Sequence, residues 1–210
     1  MSPTVILIED HVTYRESFRL ALHSLSNFKV VGEATGARDA FPLLEQLEPD
    51  LAVIDFLLPD TNGISLGREV RRRRLRTKTL ILGRMAHPLF IRDALRSGIG
   101  GFALKQEPLA VILDGLQRVL DGEHYLSPLL QQELEKALAS KVPGLARLSA
   151  REREILFLLI EGLSSKEIAK SLFLSSKTVD AHRLHINRKL GVRSPAALAR
   201  LVADQGLIGG

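Results

Sequence analysis

Five short apolar runs alternate with helix-patterned segments over the first 120 or so residues, and this alternation constrains the fold more than any other feature. Val5–Ile8, Val30–Ala34, Leu51–Ile54, Leu80–Leu82 and Phe102–Leu104 are too short for helices and rich in branched side chains, so they predict strands. Between and after them, Tyr14–Leu25 (with Phe18, Leu22 and Leu25 on one face), Ala37–Leu47, Ile64–Arg74, Pro88–Ser97 and Pro108–Leu120 carry helical spacing. Strands buried on both faces and separated by helices predict a parallel sheet with right-handed crossovers. Five such units predict an α/β, doubly wound, flavodoxin-like sheet of five strands.

The pattern then changes. Asp121-Gly122 ends the fifth helix, Ser127-Pro128 opens a further helical stretch over Leu129–Ala139, and Lys141-Val142-Pro143-Gly144 breaks it. From Leu148 no strand-like run appears; Ala150–Glu161, Ser165–Leu172, Lys177–Leu190 and Pro195–Asp204 read as helices, punctuated by Gly162, Ser175-Ser176 and Gly191. The expected organisation is an α/β domain over 1–122, a linker with a helix over 123–147, and a small all-α domain over 148–210. Charge follows this division. Residues 145–210 hold 11 Lys plus Arg against 6 Asp plus Glu, whereas residues 1–144 hold 18 of each, so the whole excess of +5 lies in the last third. A chance imbalance of this size is ordinary; the alternative is a polyanionic partner for the C-terminal part.

Absences narrow the class. The chain has no cysteine, which excludes disulfides and thiolate metal sites. Val5–Ile8 is closed at once by Glu9 and Asp10, unlike a signal peptide, and no run approaches the roughly 20 apolar residues of a membrane helix. The expectation is a cytoplasmic protein without a membrane partner.

In an open parallel sheet, ligands sit beyond the carboxyl ends of the strands. Strand one ends in Glu9-Asp10, strand three in Asp55 and strand five in Lys105. Three carboxylates and one ammonium therefore converge on one edge. Hard oxygen donors grouped this way suit Mg²⁺, a carboxylate beside Mg²⁺ can attack a phosphoryl group, and a nearby ammonium neutralises the transferred oxygens. Each residue alone is more simply a polar strand end; the ordered set, with Pro59 and Gly63 shaping the loop after Asp55, is what points to chemistry.

Taken together, Glu9-Asp10, Asp55-Phe56-Leu57-Leu58-Pro59, Gly63 and Lys105 resemble a response-regulator receiver domain over residues 1 to about 122. That resemblance implies Asp55 as phosphoacceptor, Glu9, Asp10 and Asp55 as Mg²⁺ ligands, and Lys105 as the phosphoryl contact. One part departs from the family. Receivers carry Ser or Thr at the end of strand four, where this chain has Gly83, followed by Arg84; the switch aromatic corresponds to Phe102, which has no hydroxyl. Phosphorylation control with weakened coupling, and control by a partner or ligand instead, both stay open. Leu57 occupies the position where related phosphohydrolases carry a second catalytic aspartate, so an enzyme is not expected.

In the last third, Ser149 with Glu152 three residues on forms a capping-box pattern, and Ile155, Leu156, Leu158 and Leu159 supply an apolar side. Ser164 or Ser165 can cap the second helix, where Ile168, Ala169 and Leu172 face inward. After the turn Phe173-Leu174-Ser175, the third helix places Val179, Ile186 and Leu190 on one buried face and Lys177, Asp180, Ala181, Leu184, His185 and Arg188 away from it. A plain helical bundle with a solvated basic face fits this; so does a helix-turn-helix that enters a major groove. Leu148–Glu152, Gly162–Ala169, Lys177-Thr178-Val179, His182-Arg183 and Arg188–Val192 resemble the LuxR-type helix-turn-helix, and with the receiver they resemble the NarL/FixJ-type response regulators.

By that resemblance Lys177, Thr178, Asp180, Ala181 and Leu184 are groove-facing, while Lys166, His182, Arg183 and Lys189 contact the backbone or hold the helix in place. His182 also reads as a packed residue between helices. Asp180 repels phosphate but can accept from a cytosine amino group. The implied partners are double-stranded DNA, a cognate sensor histidine kinase, the transcription machinery and a second copy on DNA through Pro195–Asp204. The run Arg71-Arg72-Arg73-Arg74-Leu75-Arg76 reads as solvated surface at a helix C-terminus.

Overall fold

A computed structural model of the chain describes residues 2–84, 91, 95, 96, 98–139, 147–160, 162–192, 194, 197, 198 and 201. The helix expected over Pro88–Ser97 falls mostly outside them, as do the linker break at Lys141–Gly144 and most of the helix expected over Pro195–Asp204. The described residues form two units, one holding a sheet and one holding only helices.

In the first unit the order is β1 (Thr4–Ile8), α1 (Val12–Leu25), β2 (Lys29–Ala34), α2 (Ala37–Leu47), β3 (Leu51–Asp55), α3 (Gly63–Arg72), β4 (Lys78–Gly83), β5 (Gly101–Leu104), α4 (Leu109–Leu120) and β6 (Tyr125–Leu126), followed by α5 (Pro128–Ala139), whose first turn belongs to this unit and whose remainder belongs to the second. The sheet order is β2-β1-β3-β4-β5-β6, parallel throughout. All five expected strands are present; the sheet has a sixth, β6, which the sequence reading placed in the linker. Two residues are too few to show as an apolar run, and β6 exists because Tyr125 N donates to Gly100 O and Ser127 N to Phe102 O, at 3.0 and 3.1 Å.

Every residue of β3 is buried, as a strand covered by helices on both faces requires. On one face Val5, Leu7, Val53, Leu80, Leu82 and Ala103 pack with Phe18 and Leu22 of α1 and Ile112, Leu116 and Val119 of α4. The intervening residues Ile6, Ile8, Ile54, Ile81 and Phe102 are fully buried on the opposite face, by strand alternation. Leu25 corrects the expectation for α1: it is 66% exposed, because it closes the helix beyond the edge of the sheet core.

The second unit contains α6 (Ala150–Ile160), α7 (Ser165–Ser171) and α8 (Ser176–Leu190). Its start is a true capping box: Ser149 N donates to Glu152 Oε2 (2.7 Å) and Glu152 N to Ser149 Oγ (3.2 Å). Ser164, rather than Ser165, caps α7 in the same reciprocal way, and Ser175 Oγ accepts from Thr178 N at the head of α8. Ile155, Leu156, Phe157, Leu158, Ile168, Ala169, Leu172, Val179 and Ile186 are buried in it. Phe157 takes a core place assigned to Leu159, and Leu190 is only partly covered. Between α7 and α8 the chain turns through Phe173, held at φ 55°.

Candidate functional site

Parallel register brings the first site together. Ile8 pairs with Ile54, Asp55 with Leu82 and Gly83 with Leu104, so Glu9, Asp55 and Lys105 leave the sheet at one edge. The loop after Asp55 is tightly tied: Gly63 N donates to Phe56 O (2.8 Å), Leu58 N to Thr61 O (3.1 Å), and Asn62 Oδ1 caps α3 by accepting from Ser65 N (2.8 Å). A side chain at Gly63 would run into the Asp55 carbonyl. Asp60 caps the neighbouring α2 by accepting from Ala37 N and Arg38 N, both at 2.9 Å.

Lys105 Nζ donates to Glu9 Oε2 at 2.6 Å and lies 3.0 Å from Asp55 Oδ1, and both carboxylates are buried. Asp10 stands beside them, partly exposed. Glu9, Asp10, His11 and Asp55 offer ligand atoms that all lie within 4.8 Å of one another. Burial, and then the Glu9 charge, push the Asp55 carboxyl up to about 6, against the lowering effect of Lys105. One ammonium among three carboxylates leaves the site short of positive charge. Asp10 Oδ1 is buried without a hydrogen bond, although His11 Nδ1 lies 2.9 Å away. An acceptor buried and unmet beside two further carboxylates fits a hard divalent cation.

The sequence reading missed three contributors. His11, at the start of α1, joins the carboxylate cluster through Glu9 Oε1 at 3.1 Å. Tyr14 places its ring 4.6 Å from Lys105 Nζ and stacks on Phe18; burial, then Glu9 and Asp55, drive its hydroxyl far above the ordinary range. Glu107 is buried just after Lys105, and its carboxylate accepts from Leu104 N (2.9 Å) and Leu129 N (3.2 Å), tying β5 to the first turn of α5. Only the proximity of His11 and Tyr14 to Glu9-Asp10 signalled any of this. Gly83 accepts from Lys105 N at 2.8 Å, Arg84 is exposed, and Phe102 is fully buried 6.1 Å from the Phe56 ring.

On α8, Lys177, Asp180, Ala181 and Leu184 are exposed, the last at 69%, and Thr178 is half-buried. Lys166 is exposed on α7. His182 and Arg183 are partly buried. Asp180 is engaged: its Oδ1 accepts from Ser165 Oγ (2.7 Å), which itself accepts from Arg183 Nη1 (2.7 Å). Lys189 Nζ donates to the buried Glu152 at 2.6 Å, which holds α8 to α6. Among the described residues no helix is long and apolar enough to cross a membrane.

Comparison with known proteins agrees with both halves of this geometry. The response regulator receiver domain family matches residues 5–117, and the luxR family of bacterial regulatory proteins matches residues 146–202. A protein of Pseudomonas aeruginosa is 33% identical over 205 residues, covering 97% of this chain and 99% of its own. The nitrate/nitrite response regulator protein NarL of Escherichia coli is 30% identical over 195 residues, covering 91% and 90%. Among solved structures, the RcsB response regulator of Salmonella typhimurium superposes with a TM-score of 0.80 at 27% identity, over 98% of this chain and 99% of that one. RcsB of Salmonella enterica bound to the rprA promoter in the presence of the phosphomimetic BeF₃⁻ gives 0.77 at 27% identity, over 97% and 99%.

Proposed function

The chain belongs to the two-component response regulators that join a receiver to a LuxR-type DNA-binding domain, a family of transcription regulators, and from that premise we propose that phosphorylation of Asp55 controls it. The observation that carries this reading is the bridge from Lys105 Nζ to Glu9 and Asp55 at the sheet edge. Asp55 supplies the attacking oxygen; burial and then the Glu9 charge raise its carboxyl, and the Lys105 ammonium opposes that rise. Lys105 is already placed to face an incoming phosphoryl oxygen. Glu9, Asp10 and Asp55 are the residues that hold Mg²⁺, with Asp10 Oδ1 the acceptor left unmet. Bound Mg²⁺ supplies charge neutralisation for the phosphoryl oxygens. The receiver serves as a switch for the C-terminal domain, not as an enzyme acting on an outside substrate.

For the DNA-binding half, α8 lies in the major groove with Lys177, Thr178, Asp180, Ala181 and Leu184 toward base edges. Lys166, His182 and Arg183 contact the backbone, whereas Lys189 acts chiefly as the clamp on Glu152. Solved RcsB structures include promoter complexes and two dimers on two parallel DNAs; this chain is proposed to bind as a homodimer likewise. A sensor histidine kinase supplies the phosphoryl group, the transcription machinery reads the bound dimer, and the cytoplasm is the compartment. The receiver spans residues 1–122, the linker 123–147 and the DNA-binding domain 148–210 in this reading.

The test is intact-protein mass after incubation with a small phosphodonor and Mg²⁺. Wild type gains one phosphoryl group and Asp55→Asn does not. No gain in wild type, beside a responsive receiver as control, leaves Asp55 without this role. Gly83, where relatives place a hydroxyl, favours one second reading: a switch set by a ligand or partner at the receiver.

A further inference from the structure

The arginine run that closes α3 divides in the folded receiver. Arg72 and Arg73 turn to Glu69, at 2.6 and 2.9 Å; Arg73 also reaches Glu45 at 2.7 Å and covers the Phe41 ring at 4.0 Å. Arg71 and Arg74 instead line, with Lys78 and His124, a cavity of about 360 Å³. It opens where β4 begins, at the edge of the sheet opposite Asp55. Among the described residues its one lining carboxylate, Glu123, is held 3.0 Å from Arg118 Nε. Among the described residues no ion pair engages Arg71 or Arg74.

Neutralisation of helix ends explains only part of this charge. α3 and α4 both finish beside the cavity, and each C-terminus carries roughly half a negative charge. Lys78 Nζ already donates to the carbonyl of Leu120, the last residue of α4. Two helix ends offset about one cation, so the guanidinium groups remain in excess. Arg74 sits at φ 58°, in the left-handed region just past the end of α3, where a Cβ costs energy that glycine avoids.

The floor is closely packed over two glycines. Gly98 is at φ 95°, and a side chain there would strike the Arg71 guanidinium, which rests on bare backbone. At Gly100 a Cβ would come within 2.7 Å of Val119 Cγ1 and 2.9 Å of the Thr79 carbonyl.

We propose that this cavity is a binding site for a small phosphate-bearing anion, held by Arg71 and Arg74. Guanidinium groups match phosphate oxygens two at a time, and the volume sits at the lower end of the roughly 300–1,000 Å³ of small-ligand pockets. The site uses no residue of the acidic cluster, so it stands or falls independently of Asp55 chemistry. It gives the receiver a ligand input of its own.

Isothermal titration of the full chain with inorganic pyrophosphate tests this, in EDTA so that the carboxylates recruit no metal-bound phosphate. Wild type, Arg71→Gln/Arg74→Gln, Arg71→Lys/Arg74→Lys and Lys177→Gln are compared, with melting midpoints to verify folding. The expected result is one site in wild type, weakened about tenfold or more in the glutamine pair, partly regained in the lysine pair and unchanged in Lys177→Gln. Absence of binding to wild type overturns the proposal. So does equal affinity in the glutamine pair, or loss in Lys177→Gln, which would move the site to α8.

Discussion

Asp180 Oδ1 accepts a 2.7 Å hydrogen bond from Ser165 Oγ, joining the first residue of α7 to the exposed face of α8. The same hydroxyl accepts from Arg183 Nη1, so a carboxylate that repels DNA phosphate is held beside a cation that attracts it. Replacing Asp180 by Asn keeps an acceptor for Ser165 and removes the charge. Affinity for random duplex should rise several-fold at fixed salt while discrimination between sites narrows. Fluorescence anisotropy on a selected and a scrambled duplex measures both; no change in either would place Asp180 outside the interface.

Lys177 is exposed at the head of α8. If it neutralises one phosphate, Lys177→Ala weakens binding and lowers the slope of log affinity against log salt by about 0.9. Titrations at several salt concentrations give the slope directly. An unaltered slope with unaltered affinity removes this residue from the contact.

The Glu152–Lys189 pair should act on stability. Burial alone pushes Glu152 up, but Lys189 at 2.6 Å and the Ser149 backbone and hydroxyl outweigh it and hold the carboxyl below its ordinary 4.5. A depressed folded-state value stabilises the helical unit above the unfolded value, and that stability is lost as pH falls through the folded one. Lys189→Met should therefore cost about 1–3 kcal/mol near neutrality, discounted for the partial exposure of the lysine. As pH falls through the depressed folded value and Glu152 protonates in both proteins, the gap should close. Denaturant melts stepped down from pH 7 through the acid range decide this; a deficit that stayed constant down to acid unfolding would mean that packing, not charge, was lost.

Glu107 is the buried acceptor for two backbone N–H groups, those of Leu104 and Leu129. Glu107→Ala leaves Leu104 N unmet in the core and should destabilise the receiver by about 2–4 kcal/mol, while Glu107→Gln, which keeps one oxygen, should cost less. Urea unfolding of the full chain reads the difference. Equal stability of the alanine variant and wild type would show that neither bond contributes.

Phosphotransfer should depend on Lys105 more than on Gly83. Lys105→Met removes the ammonium 3.0 Å from Asp55 and should slow phosphorylation by a small phosphodonor at least tenfold. Gly83→Ser, which adds the missing hydroxyl, should change that rate little and strengthen the response of DNA binding to phosphorylation. Mass spectrometry at timed intervals and DNA titration of the modified protein separate the two effects.

Much of this protein is local information and therefore legible in one dimension. Short, fully apolar runs such as Leu51–Ile54 are too brief for helices and read as strands covered on both faces, and the 3.6-residue spacing of Val179 and Ile186 marks the buried side of α8. Strand ends carry Glu9, Asp55 and Lys105 to one edge because parallel strands all point the same way. The capping box of Ser149 and Glu152 is equally local, spanning three residues.

Which side chains answer one another across the fold is not written that way. Arg71 through Arg74 are identical in sequence, yet two are bound to Glu69 and Glu45 and two face a cavity. The helix rotates successive residues by about 100°, and only the packing of α3 beside α2 and β4 decides what each one meets. Lys189 finds a buried carboxylate 37 residues away, Glu107 finds Leu129, and Asp180 is met by Ser165. Sequence by itself determined five of the six strands, the described helices and the residue types at the sheet edge and on α8, since backbone periodicity and chain direction are local. Tertiary structure decided which charges are spent and which stay available, because pairing depends on distances that only long-range packing sets.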